Sequence, residues 1–442
     1  MDAQQQLKEK LKTAADVANW VQSGWAVDYG ASLNQPDVFD AALAERKFQL
    51  RDIRIRSILT TKPRKVLEVD PDQQHFHGES WHFSAHDRKS YDNGIVSYIP
   101  FNFGEGPQIY RDFLDVDLAV IKTTPMDRHG YFNFGASNCY VRALCEKAKR
   151  IVVETSTALP TCYGSENIIH ISELDAVIQG DNAPLTELPS APITDTDIKV
   201  ANLIIPEIID GACLQIGIGG MPNAVCSALA KASIKNLGIH TEMFVDGMVD
   251  LVEAGKVTGA FKATHRGKIV YTFALGSKYM YDFLDGNEMC MSLPVNETNL
   301  TENIARNRNV VSINNAMQID LMGQVASESA GFKHRTGTGG QLQFVRGAFM
   351  SEGGKSFMCL SSRYMKGDQP RSRIVAGHPP GTTITTPRTD VMYVVTEYGM
   401  VNLKGKSIPD RVNALISIAH PEDREGLEKQ ARSSGLLPRR FL

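Results

Sequence analysis

Along most of this chain, short apolar runs alternate with segments whose apolar residues recur every three or four positions. Residues 150–153 (RIVV), 214–216, 269–272 (IVYT), 310–313 (VVSI) and 392–395 are rich in β-branched side chains and bounded by glycine, proline or polar residues, which predicts strands. Between them lie helical patterns. After Thr194-Asp-Thr-Asp197, whose hydroxyl and carboxylate groups suit a helix start, Ile198, Ala201, Ile205 and Ile208 keep to one helical face, and Pro206 predicts a kink. The opening residues, MDAQQQLKEKLKTAADVANW, mix charges with spaced apolar positions and predict a surface helix rather than a secretory signal. Strands alternating with helices point to mostly parallel sheets flanked by helices.

The same pattern occurs twice. Residues 213–222 run a short apolar stretch into Gly217-Ile-Gly-Gly220 and then Pro222, followed by an alanine-rich helical segment ending near Lys231. Pro222 suits a first helical turn, where the amide hydrogen it lacks has no intrahelical partner. Residues 30–36 (GASLNQP) do likewise, and with Pro36 laid on Pro222 the triplet Ala42-Leu43-Ala44 falls on Ala228-Leu229-Ala230. Further on, residues 117–121 precede Gly130-Tyr-Phe-Asn133 as residues 390–394 precede Gly399-Met-Val-Asn402. We read a duplicated α/β unit, with domains at 1–190 and 191–442 and the boundary in the polar, three-proline stretch 182–192. Chance similarity of short βα punctuation is the competing explanation.

Composition narrows the partners. In 442 residues, Lys+Arg 47 against Asp+Glu 50 gives a formal charge of -3, without the basic excess of a nucleic-acid or anionic-membrane surface. No apolar run approaches membrane-spanning length. A small-molecule substrate fits this balance. Seven scattered cysteines without a CxxC pair read as reduced thiols, hence a cytoplasmic chain.

Five groups of residues could carry chemistry. Gly217 to Gly220, after a strand and before a helix, can offer backbone amides to an anion, although a tight turn would look the same. A nicotinamide dinucleotide site is a rival, since Gly217-x-Gly219 opens a GxGxxG pattern and Glu242 follows, but Pro222 occupies the third glycine position. Glu242, in residues 238–247 (GIHTEMFVDG), can act as a nucleophile on an acyl thioester; taken alone, it reads first as an exposed or ion-paired acid. A second glycine cluster lies in residues 335–344 (RTGTGGQLQF), and a polar run follows the strand at 394–405. His75, His77, His82 and His86 with Glu79 resemble a metal cluster, yet their spacing lacks a second ligand pair, and interleaved aromatic residues suggest a partly buried loop, so no metal is expected.

Taken together, HTEMFVDG, QIGIGGMPNAV, GTGGQLQFVRGAF and VTEYGMVNLKG, with PMDRHGYFNFG and YIPFNF in the first half, resemble the acyl-CoA hydrolase/transferase family. Within it the likeness is to 4-hydroxybutyrate and butyryl-CoA:acetate CoA-transferases, over nearly the whole chain. The resemblance implies two similar open, mostly parallel α/β domains of the CoA-transferase type with the active site between them. It implies a homodimer that moves CoA between short-chain acyl-CoA and carboxylic acids, with CoA as substrate and no tightly bound cofactor. By the same resemblance Glu242 forms the glutamyl-CoA thioester. Gly217, Ile218, Gly219, Gly220 and Met221 bind CoA together with Gly337, Gly340 and Lys355, and the Ile218 and Gly340 amides serve as oxyanion donors. Asn34 and Gln35 fall on the acyl side; Asn315 and Glu397 are supporting polar positions. An acyl-CoA hydrolase using the same intermediate and a non-catalytic CoA-binding protein are the remaining alternatives.

Overall fold

Strands covered on both faces need no polar alternation, and the apolar runs behave accordingly: every side chain of Ala26–Ala31 and Leu118–Thr123 is buried. A computed structural model describes residues 2–437. The chain divides into two units. The first holds the chain up to Pro189 together with Glu242–Phe244 and Val270–Thr298; the second holds Ser190–Thr241, Val245–Ile269 and the chain from Asn299 onward.

The first unit is built on an eight-stranded sheet in the order Leu11–Lys12, Ala176–Gln179, Ile151–Thr155, Leu118–Thr123, Ala26–Ala31, Ile53–Ile58, Phe76–Ser80 and Val96–Tyr98. All of its pairings are parallel. Val27, Tyr29, Ile53, Ile55, Leu118, Val120 and Val152 supply the sheet side of a core that Phe39 and Leu43, from helix Val38–Ala44, cover. The opening helix, Ala3–Lys10, buries none of its side chains.

The second unit carries a six-stranded sheet in the order Gly238–Ile239, Cys213–Ile216, Val310–Asn315, Lys355–Cys359, Tyr393–Thr396 and Gly399–Asn402. It is parallel except for the last pair, a hairpin. The five strands expected from the apolar runs all form, four of them in these two sheets; the run at 269–272 becomes Ile269–Tyr271 in a two-stranded sheet with Cys290–Ser292.

Thr194 caps helix Asp195–Ile204 as its sequence suggests: its hydroxyl accepts from the Asp197 amide at 3.2 Å, while the Asp197 carboxylate accepts from the Thr194 amide at 2.9 Å. Pro206 does more than kink that helix. The helix stops at Ile204 and the chain tightens into a 3-10 turn over Ile205–Glu207, because Pro206 has no amide hydrogen to continue the ladder. Both echoed loops are strand–loop–helix units, but Pro222 lies inside the first turn of helix Gly220–Lys231, whereas Pro36 precedes Val38–Ala44 and is separated from its strand by the turn Ser32–Asn34. Among the described residues no helix is long and apolar enough to cross a membrane.

Candidate active site

Glu242 is half-buried and directly precedes the two-residue strand Met243–Phe244, which pairs in parallel with Phe273–Ala274. Its carbonyl oxygen accepts from two successive amides, Thr272 at 3.0 Å and Phe273 at 3.2 Å, so its backbone is held at two points. The Thr272 hydroxyl in turn accepts from the Cys139 amide at 3.1 Å. Burial, reinforced by the nearby Glu242 charge, holds the Cys139 thiol well above its ordinary range. This thiol is therefore protonated at neutral pH. All seven cysteines are buried and stand outside disulfides; burial raises Cys145, Cys162 and Cys226 to about 12 and Cys213 to about 11.

Gly217 to Met221 leave the carboxyl end of strand Cys213–Ile216 and enter helix Gly220–Lys231. Gly219 has φ +121°, a conformation that side chains strain to adopt, and a Cβ there would stand 3.0 Å from the Asn315 amide nitrogen. A Cβ on Gly220 would meet the Asp197 carboxylate and the Pro192 carbonyl at 2.8 Å. Asn315 donates to the Ile218 carbonyl at 3.0 Å, which orients the Ile218–Gly219 peptide. Met221 is buried and the Ile218 side chain is half exposed. Gln215 accepts from Ser312 at 2.7 Å and from Asn314 at 3.2 Å, a buried network spanning the adjacent strands Cys213–Ile216 and Val310–Asn315. Sequence reasoning passed over this network; its signal is polar residues inside otherwise apolar strands.

The second glycine cluster is tied down from Glu328. The Glu328 carbonyl accepts from the Arg335 amide at 2.7 Å and the Thr336 amide at 3.3 Å, and its carboxylate accepts from the Thr338 hydroxyl at 3.1 Å. Gly337 lies within this tether. Gly339 is left-handed at φ +55°, and Gly340 is the N-cap of helix Gln341–Met350. That helix connects the parallel strands Val310–Asn315 and Lys355–Cys359, so its N-terminus lies at the carboxyl edge of the sheet. Gly217 to Met221, Asn315 and Gly340 thus share one edge of the second unit. Glu397, in the hairpin after Tyr393–Thr396, shares it too, and its carboxylate accepts from the Ser362 amide at 2.8 Å and hydroxyl at 2.6 Å. Lys355 begins its strand and so stands at the opposite edge, where its ammonium donates to the Glu207 carboxylate at 2.7 Å and carbonyl at 3.1 Å.

In the first unit, Asn34 and Gln35 follow the carboxyl end of Ala26–Ala31. Asn34 donates to the Lys122 and Phe134 carbonyls at 3.0 and 2.7 Å, and Gln35 donates to the Ile58 carbonyl at 3.0 Å, stitching three strand ends together. Their amide oxygens, and the Ser32 hydroxyl, are buried and meet no hydrogen-bond partner among the described residues. Alongside, Asp37 is ion-paired with Lys122 at 2.5 Å, Lys62 at 3.0 Å and Arg64 at 3.3 Å; burial alone would raise its carboxyl, but Lys122 and Arg64 overcome this and bring it to about 2. Glu154, wholly buried, accepts from the amides of Asp37, Val38 and Phe39 and caps that helix start. Of the histidines, the His75 ring nitrogen contacts the Leu50 carbonyl at 2.7 Å and His77 faces Asp52 at 3.7 Å.

Comparison with known proteins bears on both halves. Residues 1–189 match the acetyl-CoA hydrolase/transferase N-terminal domain and residues 276–431 its C-terminal domain. A butyryl-CoA:acetate CoA-transferase of Anaerostipes caccae is 44% identical over 438 residues, 98% of each chain. The crystal structure of RipA from Yersinia pestis superposes with a TM-score of 0.90 at 35% identity, covering 99% of this chain and all of that one. That of a 4-hydroxybutyrate CoA-transferase from Porphyromonas gingivalis does so at 0.80 and 33% identity, covering 98% and 99%.

Proposed function

Because this chain belongs to the acetyl-CoA hydrolase/transferase family, we propose that it is a CoA-transferase moving CoA between a short-chain acyl-CoA and a carboxylate such as acetate through a thioester on Glu242. Butyryl-CoA or 4-hydroxybutyryl-CoA is the donor. Full-length likeness to named CoA-transferases carries the reading, and the doubly anchored Glu242 backbone beside a protonated thiol supports the choice of nucleophile.

In the first half-reaction a Glu242 carboxylate oxygen attacks the thioester carbonyl, and collapse of the tetrahedral adduct breaks the C–S bond. This leaves an acyl-glutamyl anhydride and CoA thiolate. The thiolate then attacks the glutamyl carbonyl, expelling the acyl group as a carboxylate and leaving glutamyl-CoA. An incoming carboxylate runs the same steps in reverse. One thioester bond is exchanged for another, so neither ATP nor a redox partner is consumed. We assign the Ile218 and Gly340 amides to the oxyanions, a role that rests on fixed dipoles facing charge that develops only in the transition state. Gly217 to Met221 and Gly337 receive the CoA, whose large nucleotide part provides binding energy far from the reacting carbonyl. Asn34 and Gln35 belong to the acyl side, and Asn315 acts by holding the Ile218–Gly219 peptide, the one that follows the Ile218 amide. Our reading includes a cytoplasmic homodimer without a tightly bound cofactor.

The test is to incubate the enzyme with butyryl-CoA, trap with hydroxylamine or borohydride, and digest. The modified peptide is expected to contain Glu242, and Glu242→Ala is expected to lose transfer by a factor of about 1,000 or more. A trapped cysteine or serine, or transfer surviving in that variant, overturns the mechanism. Thiol release that acetate leaves unchanged would mark a hydrolase instead.

A further inference from the structure

Lys262 is 4% exposed and belongs to no ion pair among the described residues. A buried ammonium without a counter-charge costs several kcal/mol unless its hydrogens are well used. Its nitrogen donates to the Ile239 carbonyl at 2.9 Å and to the Lys268 carbonyl at 2.7 Å. Room for the side chain is made by Gly238, where a Cβ would stand 2.7 Å from the Lys262 Cγ. The loop carrying it is closed by Gly267 donating to Gly259 at 3.0 Å and by Asn307, buried, accepting from the Ala263 amide at 3.1 Å. Burial lowers the ammonium to about 8, with Cys213 the titratable group facing it; the neutral amine keeps two N–H groups, enough for both carbonyls.

Both carbonyls lie just before places where the chain passes from the second unit into the first. Ile239 is three residues before Glu242, and Lys268 is four before Thr272, whose amide donates to the Glu242 carbonyl. From Met243 and Phe273 onward these two segments pair as strands. Before that point each pairs elsewhere, Gly238–Ile239 with Cys213–Ile216 and Ile269–Tyr271 with Cys290–Ser292. The lysine nitrogen therefore joins the two segments through their carbonyls before the point at which they pair by backbone. One end of the Glu242 segment is held by the Thr272 and Phe273 amides; the other is held by its pairing with Cys213–Ile216 and, at the Ile239 carbonyl, by this side chain.

We propose that Lys262 is a positioning residue for Glu242, clamping the two chain segments that deliver it; this rests on the reading of Glu242 as the thioester-forming residue. In Lys262→Met the stem volume stays and both hydrogen bonds go. The kcat for butyryl-CoA:acetate transfer, counted per Glu242 that can form the thioester, is expected to fall at least tenfold. The KM for butyryl-CoA should stay within twofold, and single-turnover thioester formation should slow by the same factor as kcat. Lys262→Arg, which restores two donors, is expected to return kcat to within about threefold of wild type. A folded Met variant that loses thermal stability but keeps wild-type kcat overturns the proposal, as does a loss expressed in KM. If the Met variant does not fold, Lys262→Gln, whose shorter amide reaches one carbonyl, decides in the same way: reduced kcat supports the clamp and wild-type kcat defeats it. Wild-type enzyme trapped in parallel separates the two ideas, because absence of a Glu242 thioester there defeats the mechanism, whereas its presence with an unaffected Lys262 variant defeats only the clamp.

Discussion

Asp28 shows how much a single residue can depend on the packing around it. It lies in register with Arg56 and, through it, with Glu79 on three adjacent parallel strands, and it accepts from the Tyr110 hydroxyl at 2.8 Å. Burial raises its carboxyl from 3.8 to about 6, against the pull of Arg56. The folded chain thus binds this proton more tightly than the unfolded chain. The resulting stabilisation is complete below the unfolded value and disappears as pH rises through about 6. Asp28→Asn has no proton to lose at this position. Between pH 5 and 7.5 wild type is therefore expected to lose about 1.4 kcal/mol relative to that variant, measured by urea unfolding of both at each pH. A difference independent of pH would mean Asp28 stays ionised throughout. At this scale Glu242 and the glycines were legible as candidates, because their residue types and order carry the family resemblance. Lys262, Glu154 and Asp28 were not, since an isolated charge in a sequence reads as solvated until its surroundings are known.

Elements were legible where local rules govern them. The Thr194 cap, the five apolar strands and the helix after Pro222 form as their residues suggest, since capping, β-branching and proline chemistry act within a few residues. Close approach between elements has no such local signal. Gly347, in helix Gln341–Met350, lies so near helix Thr301–Ala305 that a Cβ would stand 2.5 Å from the Ile304 Cγ2. Gly426, in helix Pro421–Ser433, faces open space. Alanine favours a helix over glycine by about 1 kcal/mol, while forcing atoms into a packed contact costs about 1–3 kcal/mol. Gly347→Ala is thus expected to destabilise by about 1 kcal/mol, the middle of a range of about 0–2 kcal/mol, and Gly426→Ala to stabilise by about 0.5–1 kcal/mol. Thermal unfolding of both variants checks the opposite signs; a matching sign would show that the Ile304 contact relaxes freely.

At the scale of the whole molecule, the first unit is completed by chain far from its own sequence: Glu242–Phe244 and Val270–Thr298 join residues up to Pro189. Asn138 and Cys139 donate their amides to the Thr272 carbonyl, and Val270, Tyr271, Phe273 and Leu293 are buried. A fragment of residues 1–189 is accordingly expected to lack a cooperative unfolding transition, because it leaves part of its core without partners; a sharp urea transition matching that of the intact chain would contradict this. The sequence by itself determined the α/β alternation, the strand–loop–helix punctuation at Gly217 and Pro222, the family and the candidate nucleophile. Each of these follows from residue type and near-neighbour spacing, which are written along the chain. Only the tertiary structure decided that Lys355 is turned to Glu207, that Asn315 orients the Ile218 peptide, and that two later segments return to the first unit under a buried lysine. Those outcomes depend on which distant residues meet and what burial does to their charge, and neither quantity is encoded in any short stretch of sequence.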